Sequence, residues 1–137
     1  MVEKFFCSKD STGLSYIDVF IVKDDKKYKF RTLVRTGSEY TIFSARRLNV
    51  DTTNLKNTKA AIGFEEIDVY EVPVDSIAIG KEDEGIIVGM EHIYVSDLEY
   101  FENTPVLGMD YLSSMDISSN PEKGMVLEFD PAHLQMN

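Results

Sequence analysis

The chain has 137 residues, 43% of them hydrophobic, with only 4 Pro and 8 Gly, so it is long enough for one well-formed core and is neither fibrous nor disordered in composition. A formal net charge of −10 argues against a broad role on nucleic acid or an anionic membrane surface, because phosphate binding needs a positive field. A single cysteine, Cys7, excludes an internal disulfide and, with only two histidines, leaves too few soft ligands for a structural zinc; no metal or cofactor is expected.

The chain begins without a charged-then-apolar leader, and no apolar run approaches the roughly 20 residues of a membrane span, so a soluble, cytoplasmic protein is the expectation. "SYIDVFIVK" (Ser15–Lys23) is rich in β-branched and aromatic residues, Asp24-Asp25 supplies a turn, and "KKYKFRTLVRT" (Lys26–Thr36) returns as the second arm of a hairpin. "YTIFSARRLNV" starts as a strand and then spaces Ala45 and Leu48 as a short helical turn does. "NTKAAIGFEEIDVYEV" (Asn57–Val72) places Gly63 between two strand-like stretches. The whole of Glu65–Gly80 reads as one extended segment in which Pro73 marks a bulge or an edge. "GIIVGMEHIYV" (Gly85–Val95) is a further strand. "TPVLGMDYLSSM" (Thr104–Met115) reads as a buried strand followed by a helix starting near Gly108. Asn120-Pro121 and Gly124 mark the turn before a closing strand, "GMVLEF". The pattern is mainly β with one or two short helices, in a single domain over 1–137 whose core runs from about 15 to 130 between short tails.

The charges are unevenly spread. Every arginine lies between Arg31 and Arg47, whereas Phe64–Thr104 is rich in acidic residues and holds one lysine. Charges on alternate strand positions usually meet water, so a solvated face is the expectation here rather than a charged contact.

Two stretches resemble one family. "LVRTGSEYTIF" is similar to the active-site loop of the retropepsin-like aspartic proteases, whose pattern is two apolar residues, Asp-Thr-Gly, Ala or Ser, two variable positions, then Ser or Thr. Leu33, Val34, Thr36, Gly37, Ser38 and Thr41 fit, and Arg35 stands at the position of the family's catalytic aspartate. "VLGMDYL" (Val106–Leu112) resembles the family's second mark, an apolar strand into Leu-Gly and then a helix, and "MDISSNPEKGMVLEF" resembles its final hairpin. The resemblance implies a closed retropepsin-like β-barrel and a homodimer that meets through the Arg35 loop. An extended peptide would bind between a flap and Arg35–Ser38, with no nucleic acid, membrane or cofactor involved. Arg35, Thr36 and Gly37 then take the catalytic positions, Ser38, Gly63 and Phe64 the substrate contacts, and Thr41, Gly108 and Asp110 structural ones. Asp110 is read as a helix N-terminal charge or a hydrogen-bond acceptor and not as a catalyst.

Arg35 bears on all of this. The aspartic mechanism needs two carboxylates about 3 Å apart, of which one ionises and draws a proton from water. A guanidinium stays protonated and cannot act as that base. Two of them facing each other across a two-fold axis also repel, which pushes the dimer towards monomer. The chain is therefore expected to carry a protease scaffold without peptidase activity. Either Arg35 is a laboratory substitution in a chain that naturally has aspartate, or this is a natural pseudoprotease that binds peptides or serves assembly. The intact Thr36 and Gly37 favour recent loss or deliberate change.

Overall fold

The computed structural model describes residues 3–80, 86–87, 92–120 and 124–129. The first expected hairpin is its central feature. β3 (Ser15–Lys23) and β4 (Lys26–Val34) pair antiparallel, with Lys23 opposite Lys26. Asp24 and Asp25 both adopt positive φ, 52° and 64°. Two such residues make a type I′ turn, whose twist matches that of the strands it joins, and aspartate tolerates the conformation. Along β3 the residues Ile17, Val19 and Ile21 face the core and alternate with half-buried neighbours.

The extended segment expected over Glu65–Gly80 is two strands with different partners. β7 (Glu65–Pro73) pairs antiparallel with β6 (Asn57–Ile62), and β8 (Ser76–Ile79) pairs with β3. Proline has no N–H to give, so the ladder of β7 stops at Pro73, and the chain turns through Val74 and Asp75, whose N–H donates to Val22 C=O at 2.8 Å. Within the segment read as one strand over Gly85–Val95 lie β9 (Ile86–Ile87) and the start of β10 (His92–Ser96); residues 85 and 88–91 fall outside the described residues, as does Pro121 of the expected closing turn. The stretch after the first loop forms β5 (Ile42–Ser44) and then turns, as expected.

Residues 3–9, read from sequence as a tail, are strands. β1 (Glu3–Phe6) pairs with β13 (Gly124–Phe129), which also pairs with β12 (Met115–Asn120), giving a three-stranded sheet; β2 (Ser8–Lys9) pairs with β3. Among the described residues there are two helices of four residues each, α1 (Tyr100–Asn103) and α2 (Met109–Leu112), the second starting where Gly108 placed it. Between them lies β11 (Val106–Leu107).

The ten-stranded sheet runs in the order β6-β7-β10-β5-β11-β4-β3-β8-β9, with β2 added at β3. Among the described residues its end strands, β6 and β9, are not joined to each other. Apolar side chains form two clusters. The larger, around Ile21, Phe43, Ile79 and Leu112, draws residues from both sheets, Met115 and Leu127 among them, and the smaller gathers Leu33, Ile42, Ala60, Ile62, Val69, Phe101 and Val106. No described helix is long and apolar enough to cross a membrane.

Candidate functional site

The short strand β11 builds the site. It pairs parallel with β4, Leu33 opposite Val106 and Val34 opposite Leu107, and antiparallel with β5 at Ile42. The chain therefore leaves β4, passes round the end of β11, and comes back on its other side as β5. Residues 35–41 form that passage. Gly108 sits inside it: a Cβ there would meet Tyr40 C=O and lie 2.8 Å from Ser38 O, so no side chain fits although the φ of −107° is ordinary.

The inner side of the loop is tied to this point by a relay. The Gly108 N–H donates to Thr41 Oγ1 at 2.9 Å, and the same hydroxyl donates to Asp110 Oδ1 at 2.7 Å. The Thr41 N–H donates to Asp110 Oδ2 at 3.0 Å, and the Tyr111 N–H to Oδ1 at 3.0 Å. Met109 N–H and Asp110 N–H donate to Ser38 and Glu39 C=O. Burial pushes the Asp110 carboxyl above its ordinary value of 3.8, against the hydrogen bonds from Thr41 and Tyr111 that favour its ionised form. A carboxylate with its lone pairs given to three donors from its own chain braces the loop and has little left for substrate.

The outer side of the loop is a turn closed by Ser38 N–H donating to Arg35 C=O at 3.2 Å, with Thr36 and Gly37 exposed at its corner. Arg35 N–H donates to Leu107 C=O at 3.0 Å, which fixes where its side chain departs. The guanidinium is half-buried and has no carboxylate within ion-pair reach among the described residues. The Thr36 hydroxyl finds no partner within its own chain among the described residues.

The β6–β7 hairpin closes over this turn. Gly63 and Phe64 are its two-residue bend, flanked by the Ile62–Glu65 pair, and Gly63 has φ +61°. A positive φ at the first central position is the type II′ arrangement that favours glycine. The Gly63 N–H donates to Gly37 C=O at 2.9 Å, the Glu39 N–H donates to Ala61 C=O at 2.8 Å, and Ser38 stands opposite Ile62 in antiparallel register. A Cβ on Gly63 would lie 3.3 Å from Arg35 Nη2, so hairpin tip and guanidinium are in contact range.

Arg35, Thr36, Gly37, Ser38, Gly63, Thr41, Gly108 and Asp110 thus come together. The two side chains expected as substrate contacts beside Gly63 differ in exposure. Ser38 is fully buried, and its hydroxyl donates to Tyr40 C=O at 2.7 Å. The Phe64 side chain is fully exposed and packs on nothing. The hairpin's own main chain takes the Gly37 C=O and the Glu39 N–H of the loop. Sequence reasoning missed Ala61 and Ile62 as partners of the loop; the one signal was the apolar spacing of Ala60 and Ile62, which marks an arm with a buried face.

With this geometry in hand, one solved structure is informative. Over 94% of this chain and 93% of its own length, a retropepsin-like aspartic protease from Rickettsia conorii superposes with a TM-score of 0.61 and 24% sequence identity. The fold is retropepsin-like. No protein-family model and no curated protein matches the chain. Within this fold Arg35 stands at the start of the outer turn, and the braced carboxylate of Asp110 lies on the inner side of the loop.

Proposed function

We propose that this chain is an acid-protease scaffold without peptidase activity, which binds an extended peptide and pairs with a second copy of itself in the cytoplasm. One observation carries the reading: Arg35 occupies the outer turn while the relay from Gly108 through Thr41 to Asp110 that holds the turn is complete. The platform for a catalytic group is kept and the group is exchanged for one that cannot deprotonate water. With aspartate at this position in two facing chains, a shared proton would leave one carboxylate as general base and the other as donor to the scissile carbonyl, with no metal or covalent intermediate.

Pairing of two copies is supported by the exposed corner at Thr36 and Gly37 and by the uncommitted Thr36 hydroxyl. An extended peptide is supported by the main-chain groups of Gly37 and Glu39, which bond like a strand edge. The test is a peptide-library cleavage assay from acid to neutral pH on the native chain and on Arg35→Asp. Cleavage by the variant alone, with a two-carboxylate pH profile, is the expected result; cleavage by the native chain overturns the reading.

A second reading rests on the Arg35 guanidinium, which has no carboxylate partner among the described residues. A peptide-binding or assembly module would use Arg35 to hold a partner's carboxylate through two parallel hydrogen bonds. It requires that an acidic peptide bind the native chain and lose most of its affinity for Arg35→Ala.

A further inference from the structure

The hairpin tip is seated on the turn by strand pairing, which is more specific than apolar contact. Gly63 N–H to Gly37 C=O and Glu39 N–H to Ala61 C=O flank the opposed residues Ser38 and Ile62, the pattern of two antiparallel strands in register. Ile62 is buried with Leu33, Ile42, Val69 and Phe101, while Ala61 and Gly63 on either side are exposed. The segment from Ala61 to Gly63 has what an extended peptide ligand has: two main-chain bonds and one aliphatic anchor between small residues.

We propose that this arm is an internal ligand of the loop. It takes the Gly37 carbonyl and the Glu39 amide at which an external extended peptide would pair, so that a peptide binds by displacing it. The inference rests on the peptide-binding reading and names its ligand class: extended peptides with an aliphatic residue at the place of Ile62 and small residues beside it. The tether sets the difficulty. A competitor joined to its site through a short connection acts at an effective concentration of about millimolar, so only ligands with additional contacts displace it at low concentration.

A disulfide across the seated pair tests this. Ser38 and Ile62 are opposed without exchanging hydrogen bonds, the antiparallel position with Cα atoms roughly 4.5 Å apart, within the range that a disulfide spans. In the double variant Ser38→Cys with Ile62→Cys, oxidation locks the arm down and reduction frees it. The native Cys7 stays apart from this chemistry because it is buried, and burial pushes its thiol up to about 11. The probe is a fluorescent acetylated hexapeptide copying Lys59–Phe64, read by anisotropy, beside amide exchange of the native chain at Gly63 and Glu39.

The expected result is slow exchange at both amides, hexapeptide binding to the reduced variant, and at least about a tenfold loss on oxidation. Equal binding to both forms overturns the inference and leaves peptide binding standing. Free exchange at Gly63 and Glu39 in the native chain, or failure of the two cysteines to oxidise in the folded variant, shows the arm unseated and overturns it whatever the peptide does. Protected amides with no hexapeptide binding to the reduced or native chain at peptide concentrations well above about millimolar, where it outcompetes the tethered arm, overturn the peptide-binding reading and the inference with it.

Discussion

The two sides of the 35–41 loop are held by different means. On the inner side the fastening is made of side chains and buried groups, the Thr41 hydroxyl, the Asp110 carboxylate and a Gly108 that admits no Cβ. On the outer side it is two main-chain hydrogen bonds and the buried Ile62 side chain, from a hairpin whose tip is in water. Groups buried with fixed partners are costly to separate, whereas a short strand pairing at the surface opens for little more than its two bonds and one aliphatic contact. The loop is accordingly a permanent platform with a removable cover.

Substitutions test that contrast, and the largest effect belongs on the inner side. Gly108→Ala forces a methyl into the Tyr40 and Ser38 backbone and should cost about 3 kcal/mol or prevent folding, measured by urea unfolding. Thr41→Val removes a donor to Asp110 and leaves the buried Gly108 N–H without an acceptor, for about 2–3 kcal/mol; Thr41→Ser keeps the hydroxyl and should cost less than about 1 kcal/mol. If the two Thr41 variants lose equal stability, the relay does not hold the loop.

On the outer side Gly63→Ala places a side chain at φ +61°, at about 1–2 kcal/mol. That loss should appear both as faster exchange at the Gly63 and Glu39 amides and as a lower urea midpoint, by less than for Gly108→Ala. Asp110→Asn separates the charge of the relay from its shape. The folded-state pKa of Asp110 is raised, so the native fold holds that proton more tightly than the unfolded chain does. Its contribution is fully present below pH 3.8 and is lost as pH rises through the raised value. The native chain should therefore lose stability relative to Asp110→Asn as pH climbs out of that window, and unfolding of both at a series of pH values reads the difference. The smallest effect is expected from Phe64→Ser, within about 0.5 kcal/mol, because the ring touches nothing in the folded chain. A large loss there would place Phe64 in the cover's seat.

How far these features were legible in the sequence follows the same division. The β3–β4 hairpin could be read because alternation and Asp24-Asp25 agree, and the inner side of the loop could be read because Thr41, Gly108 and Asp110 act through their side chains or the lack of one. The split between β7 and β8 was hidden, since both halves alternate equally well and only Pro73 hints at a stop. Helix α1, at four residues, is one turn and too short for a repeat of about 3.6 residues to show. The seating of Ala61–Gly63 on Gly37–Glu39 left no trace beyond the apolar spacing of Ala60 and Ile62, because main-chain bonds place almost no demand on side-chain identity.

The insertion of β11 between β4 and β5 also dictates when the site can exist. Thr41 and Asp110 are 69 positions apart, and until residues 106–110 are available the segment after β4 has no strand to wrap. During synthesis from the N-terminus, the first hairpin can form early from local contacts, while the loop takes shape only as the last third of the chain emerges. A nascent or truncated chain ending before Val106 would hold most of its strands and no site.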